Sequence, residues 1–249
     1  MNRLVMAVRF LTIVPVPGRG FTGHTSLGRA AGWFPAVGLG LGAVLAAADR
    51  ALGVLFPPLL SALLVLTLWK LLTGGIHLDG LADCLDGLGG ADTAQSLAIM
   101  RDSRVGVFGV LGLILYLLLS LLALAELAPA LRWRVLLLAP TCGRFAPVLL
   151  ARFYAAATPN RGYGSDFIRS VTPLAVAAGG VFLLAAVGGI LWPWGLVAAA
   201  AGLIVAWLWA AFLSRRLGGL TGDVLGATVE LAELGILLTG VALASLALA

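Results

Sequence analysis

Residues Gly74 to Gly87 read Gly-Gly-Ile-His-Leu-Asp-Gly-Leu-Ala-Asp-Cys-Leu-Asp-Gly. Asp79, Asp83 and Asp86 stand at i, i+4 and i+7, so a helix puts all three carboxylates on one face. Unpaired, they repel one another, and more strongly beside lipid, so a cation is expected among them. Oxygen-only donors without clustered Cys or His suit Mg²⁺, with Mn²⁺ as an alternative, better than Zn²⁺. Mg²⁺ is commonly held by one or two carboxylates together with substrate phosphates, which leaves room for a diphosphate. The bland reading is a solvated acidic turn, which needs neither this register nor the flanking Gly pairs. His77 is either a neighbour of that site or a structural hydrogen-bonder.

A second segment, Gly218-Gly219-Leu220-Thr221-Gly222-Asp223, leads on to Glu230 and Glu233. At an offset of 144 residues, Gly74, Gly75, Asp79 and Asp86 align with Gly218, Gly219, Asp223 and Glu230. Two related acidic half-sites meeting at one end of a bundle are one reading. The plainer one is that Gly-Gly pairs and helix-start carboxylates are common. Arg101 and Arg104, three apart at the mouth of an apolar stretch, present a fork for phosphate oxygens or anchor the chain at a membrane surface. Arg144 lies inside an apolar stretch and needs a carboxylate or substrate anion, because burying it alone costs about 2.5–3.5 kcal/mol. Arg9 and the segment from Thr158 to Asp166, with Arg161, are weaker candidates. Lys70, near the end of a span, is expected to snorkel.

The elements that position these residues are apolar. Of 249 residues 61% are hydrophobic and 11% charged, whereas soluble domains carry about 25% charged; lipid is the solvent such a composition fits. Uncharged stretches cover Val105–Ala125, Ala30–Ala48 and Ser170–Ser214. The last is too long for one span and divides at Trp192-Pro193-Trp194-Gly195. Leu234–Ala249, extended back to about Val224, Pro58–Leu72 and Val135–Ala151 complete seven spans. The expected fold is an all-α, polytopic membrane bundle forming one domain over 1–249. It has an amphipathic segment at 1–29, an acidic cytoplasmic loop at 73–104 and a second acidic segment at 214–233.

With the amino terminus inside, cytoplasmic segments hold 12 of the 16 basic residues, among them Arg3, Arg19, Arg29, Arg215 and Arg216. Positive-inside asymmetry therefore favours amino terminus in and carboxyl terminus out. Asp92, Asp102, Asp166 and both histidines, His24 and His77, fall on the same side, and only Asp49 and Glu126 of the acidic residues do not. The net charge of +5 follows this orientation and does not signal nucleic-acid binding. Cys84 and Cys142 lack ligand spacing, and no cleavable signal peptide is read before Pro17.

At these residues the chain resembles the cobalamin-5′-phosphate synthase family, also called adenosylcobinamide-GDP ribazoletransferase. The matching stretches are Arg9-Phe10-Leu11-Thr12 with Pro15 and Pro17, Gly32-Trp33-Phe34-Pro35 with Gly38, Gly74–Gly90, Met100–Gly106 and Gly218–Glu233. The resemblance implies a Mg²⁺-dependent transferase of the inner membrane, its active face cytoplasmic. The ribose hydroxyl of α-ribazole, or its 5′-phosphate, attacks the phosphoryl group on adenosylcobinamide-GDP, and GMP leaves. It further implies that Asp79, Asp83 and Asp86 hold metal, completed by Asp223, Glu230 or Glu233, with Arg9, Arg101, Arg104, Arg144 and Thr221 toward substrate. Asp86, Glu230 or His77 is then the general base, and assembly as a homo-oligomer stays open. Two rivals are weighed. A CDP-alcohol phosphotransferase needs Asp-Gly-x-x-Ala-Arg, but Asp83 follows Ala82 here. A cation-coupled transporter would place its carboxylates near the membrane midplane, not at one interface.

Overall fold

The structure, a computed structural model, describes residues 2–17, 27–158 and 162–248. Arg19, His24 and Arg161 lie outside them. Among the described residues the chain is helical throughout: α1 (Arg3–Leu11), α2 (Leu27–Ala30), α3 (Phe34–Leu55), α4 (Pro58–Leu72), α5 (Ile76–Gly87) and α6 (Thr93–Ile99) are followed by α7 (Val107–Glu126), α8 (Pro129–Leu150), α9 (Gly162–Ser170), α10 (Pro173–Ile190), α11 (Trp194–Leu217) and α12 (Gly222–Leu248). Six segments are long and apolar enough to cross a membrane: the α2–α3 stretch from Leu27 to Leu55, α7, α8, α10, α11 and α12. The pair α4–α5, bent by 89°, makes a seventh if it is counted as one span.

The boundaries show what each helix faces. α7 presents Val107, Phe108, Leu111, Leu115, Leu118 and Leu122 outward and buries Tyr116, Ser120, Ala123 and Leu124; an apolar belt of this kind needs lipid around it. The 45-residue uncharged run divides where expected, between Ile190 and Trp194. Two helices outrun the uncharged stretches that announced them. α3 continues through Asp49 and Arg50, and α8 begins early enough to include Arg132 and Arg134. Two of these charges are neutralised inside, Arg132 Nε lying 3.3 Å from Asp49 Oδ2 with both residues buried, while Arg50 and Arg134 are exposed. α8 is the central helix, packed on α3, α10, α11 and α12. Its residues meet protein rather than lipid, so it tolerates Arg144, Thr141 and two prolines.

The segment 73–104 is not a loop. It folds as α5 and α6, with α5 turned 89° from α4. Gly74 and Gly75 make the bend at φ +64° and +68°, a region that side-chain-bearing residues enter only at a cost. The right-angle bend turns α5 away from the axis of α4 and packs it against α12 and α7. α5 rests on α12 at Gly80, where a Cβ would stand 2.7 Å from the Asp223 carbonyl oxygen. Any larger residue would push the two acidic segments apart.

Candidate active site

The crossing of α5 and α12 brings the two acidic segments together: Gly80 lies against Asp223, and Gly226 against His77. Both segments enter through paired glycines of positive φ, Gly74–Gly75 and Gly218–Gly219. Three carboxylates converge here. Partial burial, then the negative charges of Asp79, Asp223 and Asp86, push the Asp83 carboxyl up to about 7. Asp223 lies within electrostatic reach of Asp79 and Arg101. Thr221 accepts the Val224 amide at 3.2 Å and so starts α12, and its hydroxyl also hydrogen-bonds the Asp223 side chain.

Asp86 is placed differently from its partners in the register. Its oxygens accept the amides of Gly106 at 2.7 Å and Gly109 at 2.8 Å. It therefore caps the amino-terminal end of α7, satisfying donors that the first helical turn cannot. Glu230 and Glu233 are also elsewhere. Seven residues of α12 separate Glu230 from Asp223, about 10 Å at 1.5 Å per residue, which carries it deeper into the bundle. There Lys70 Nζ meets Glu230 Oε2 at 2.5 Å and Glu233 Oε2 at 3.2 Å. The Tyr116 hydroxyl donates to Glu230, and Arg144 pairs with Glu233. Two cations and two carboxylates balance in a buried network joining α4, α7, α8 and α12. Lys70 does not snorkel: its side chain is 10% exposed and turned inward. Charge alone does not show this in the sequence, because its partners lie 160 and 163 residues away.

Among the described residues no three of His, Cys, Asp and Glu form a ready-made metal cage. Asp79, Asp83 and Asp223 offer oxygen donors alone, the donor type that suits Mg²⁺ when substrate phosphates complete its shell. Arg101 is exposed beside the cluster. Arg104 spends its fork on Asp102, donating through Nε and Nη2 at 2.6–3.1 Å, and this pair holds the Asp102 carboxyl down at about 2.

On the other side of the crossing lies a cavity of about 380 Å³ lined by Arg9, Phe10, His77, Tyr163, Phe167 and Gly226, among others. Phe34 joins its wall, stacked on Phe10 and Phe167 with ring centroids 5.9 and 5.5 Å apart. His77 is 5% exposed, and its Nδ1 has no hydrogen-bond partner among the described residues. Burial, and then the charges of Arg144 and Lys70, hold its imidazole well below the usual pKa, so it is neutral. Arg216 is a further contributor that charge counting misses. It donates to the carbonyls of Leu88, at 2.8 Å, and Gly90, tying α11 to the end of α5.

Residues 3–242 match the cobalamin-5-phosphate synthase family. The chain belongs to that family. Among similar proteins are the adenosylcobinamide-GDP ribazoletransferases of Thiobacillus denitrificans, 41% identical over 98% of this chain and 97% of the relative, and of Roseiflexus sp., 39% identical over 94% and 87%. That of Geotalea daltonii is 39% identical over 96% of both chains. No solved structure matches. The match to the cobalamin-5-phosphate synthase family spans every element that builds the site, from α1 to most of α12.

Proposed function

We propose that the chain joins adenosylcobinamide-GDP to α-ribazole or its 5′-phosphate, releasing GMP, in the last assembly step of cobalamin. The observation that carries this reading is the convergence of Asp79, Asp83 and Asp223 beside an exposed Arg101 and a cavity with aromatic walls. It is supported by membership of the family and by the relatives' names. Cleaving a diphosphate needs charge compensation on its oxygens and an acceptor hydroxyl placed in line.

The aromatic walls suit the flat base of the ribazole, with Arg9 at the same cavity. His77 is the general base: it lines the cavity and its Nδ1 is not committed to another group among the described residues. Asp86 and Glu230, the other candidates, already serve the α7 amides and the Lys70–Tyr116 pair. As the ribose oxygen bonds to the phosphorus on cobinamide, its proton passes to His77. The bond from that phosphorus to the bridging oxygen breaks, and GMP carries the oxygen away. Arg101 steadies the phosphate oxygens. Asp79, Asp83 and Asp223 would hold Mg²⁺, which supplies charge neutralisation on the diphosphate. Glu230 and Glu233 fix Arg144 and Lys70 beneath the site rather than binding the ion. The working face is cytoplasmic in the inner membrane, amino terminus in and carboxyl terminus out, as the basic residues favour.

The test is GMP release by purified protein from adenosylcobinamide-GDP, with each ribazole form and with or without Mg²⁺. Mg²⁺-dependent GMP formation with either acceptor supports the assignment; no release with both would reject it.

A further inference from the structure

At the end of the bundle opposite the acidic crossing, a cavity of about 620 Å³ opens between the end of α3 and the starts of α4 and α8. Most of its wall is apolar, from Ala46, Ala47, Gly53, Val54 and Phe56. Two charged side chains line it from within: Asp49 is 7% exposed and Arg132 4%. Arg132 Nε lies 3.3 Å from Asp49 Oδ2 as an ion pair without an aligned hydrogen bond, and Asp49 Oδ1 has no hydrogen-bond partner among the described residues. Arg132 Nη1 is already used, donating to the Leu124 carbonyl at 3.3 Å. Buried polar atoms left without partners are costly, so a ligand that satisfies them is favoured. One orphan is an acceptor on an anion and the other a donor on a cation. A matching ligand carries both a cationic donor and an anionic acceptor.

The geometry points to a binding site for the headgroup of a primary-amine zwitterionic phospholipid, phosphatidylethanolamine. Its ammonium donates to Asp49 Oδ1. Its phosphate lies between Arg132 Nε and Arg50, an exposed residue at the cavity rim. Asp49 is six residues before the end of α3, about 9 Å along the helix from its terminus. Trp133, 41% exposed at the same rim, has the side chain that favours this interface. The apolar wall takes the first methylenes of the tails. Nothing in the transfer reaction uses this end of the molecule, so the site serves to anchor α3, α4 and α8 in the bilayer.

Competition for the purified full-length protein among phosphatidylethanolamine, phosphatidylcholine and phosphatidylglycerol in equal amounts, read by native mass spectrometry, tests this. Phosphatidylethanolamine should be retained about tenfold over the other two, because choline lacks the N–H donors and glycerol the positive charge. Arg50→Gln, a surface change with little consequence for folding, should cut that retention severalfold. Asp49→Asn should erase the preference over phosphatidylcholine. Equal retention of all three lipids by the unaltered protein would overturn the site, as would undiminished retention in Arg50→Gln.

Discussion

Lys70 carries the sharpest consequence of the buried network. At an effective dielectric constant of about 20, its contacts of 2.5 Å to Glu230 and 3.2 Å to Glu233 correspond to about 7 and 5 kcal/mol of attraction. Desolvating each ion costs several kcal/mol in return, so the net value of the pair is small while the cost of breaking it is large. Lys70→Met removes one cation and leaves two buried carboxylates, 1% and 0% exposed, facing Arg144 alone. The expected loss is about 3–5 kcal/mol. For a chain of this size that lowers the melting temperature by about 6–20 °C. Adding Glu230→Gln restores charge balance, and the amide oxygen it introduces still accepts from Tyr116, so the double variant should recover most of the loss. The assay is thermal unfolding in one detergent of the unaltered protein, both single variants and the double variant, analysed as a mutant cycle. Losses that simply add would refute the reasoning, and so would a Lys70→Met protein that melts like the original.

Asp86→Ala strips the acceptor from the Gly106 and Gly109 amides, and should destabilise the protein by about 1–3 kcal/mol in the same unfolding assay. Turnover per folded molecule should stay within a few-fold, whereas a metal ligand or base would take it to background. A reporter fused at Leu81 should read cytoplasmic and one at Pro193 periplasmic in whole cells; reversed readings would invert the assignment of faces.

How much of this was legible in the sequence depended on what each residue faces. The helix over Val107–Glu126 and the break at Trp192–Pro193 could be read directly, because lipid-facing helices must be uniformly apolar and their turns carry interfacial aromatics. The edges of α3 and α8 could not. In sequence a charge marks the edge of a span, while Asp49 and Arg132 cancel each other across two helices that are distant in sequence. Lys70 was misread for the same reason: snorkelling assumes that the nearest relief is water, and here it is Glu230. The i, i+4, i+7 register places Asp79 and Asp83 one turn apart on α5, and the Gly-Gly repeat draws attention to Asp223. That register could not reveal that α7 begins against Asp86. Nor could the periodicity of α12 show that its later carboxylates lie two turns too deep for the same site. The cavity beside His77 is assembled from α1, α5, α9 and α12, with the start of α3 in its wall, and no local pattern announces it.

In the proposed reaction Asp83, with Asp79 and Asp223, compensates charge on the diphosphate. The most direct test of this role is GMP release by purified Asp83→Asn at saturating Mg²⁺, alongside the melting temperature of the same preparation. The account predicts a loss of at least about a hundredfold, equivalent to ~2.7 kcal/mol of transition-state stabilisation, with melting unchanged or slightly raised, since one of three repelling carboxylates is gone. Turnover equal to that of the unaltered protein would contradict it.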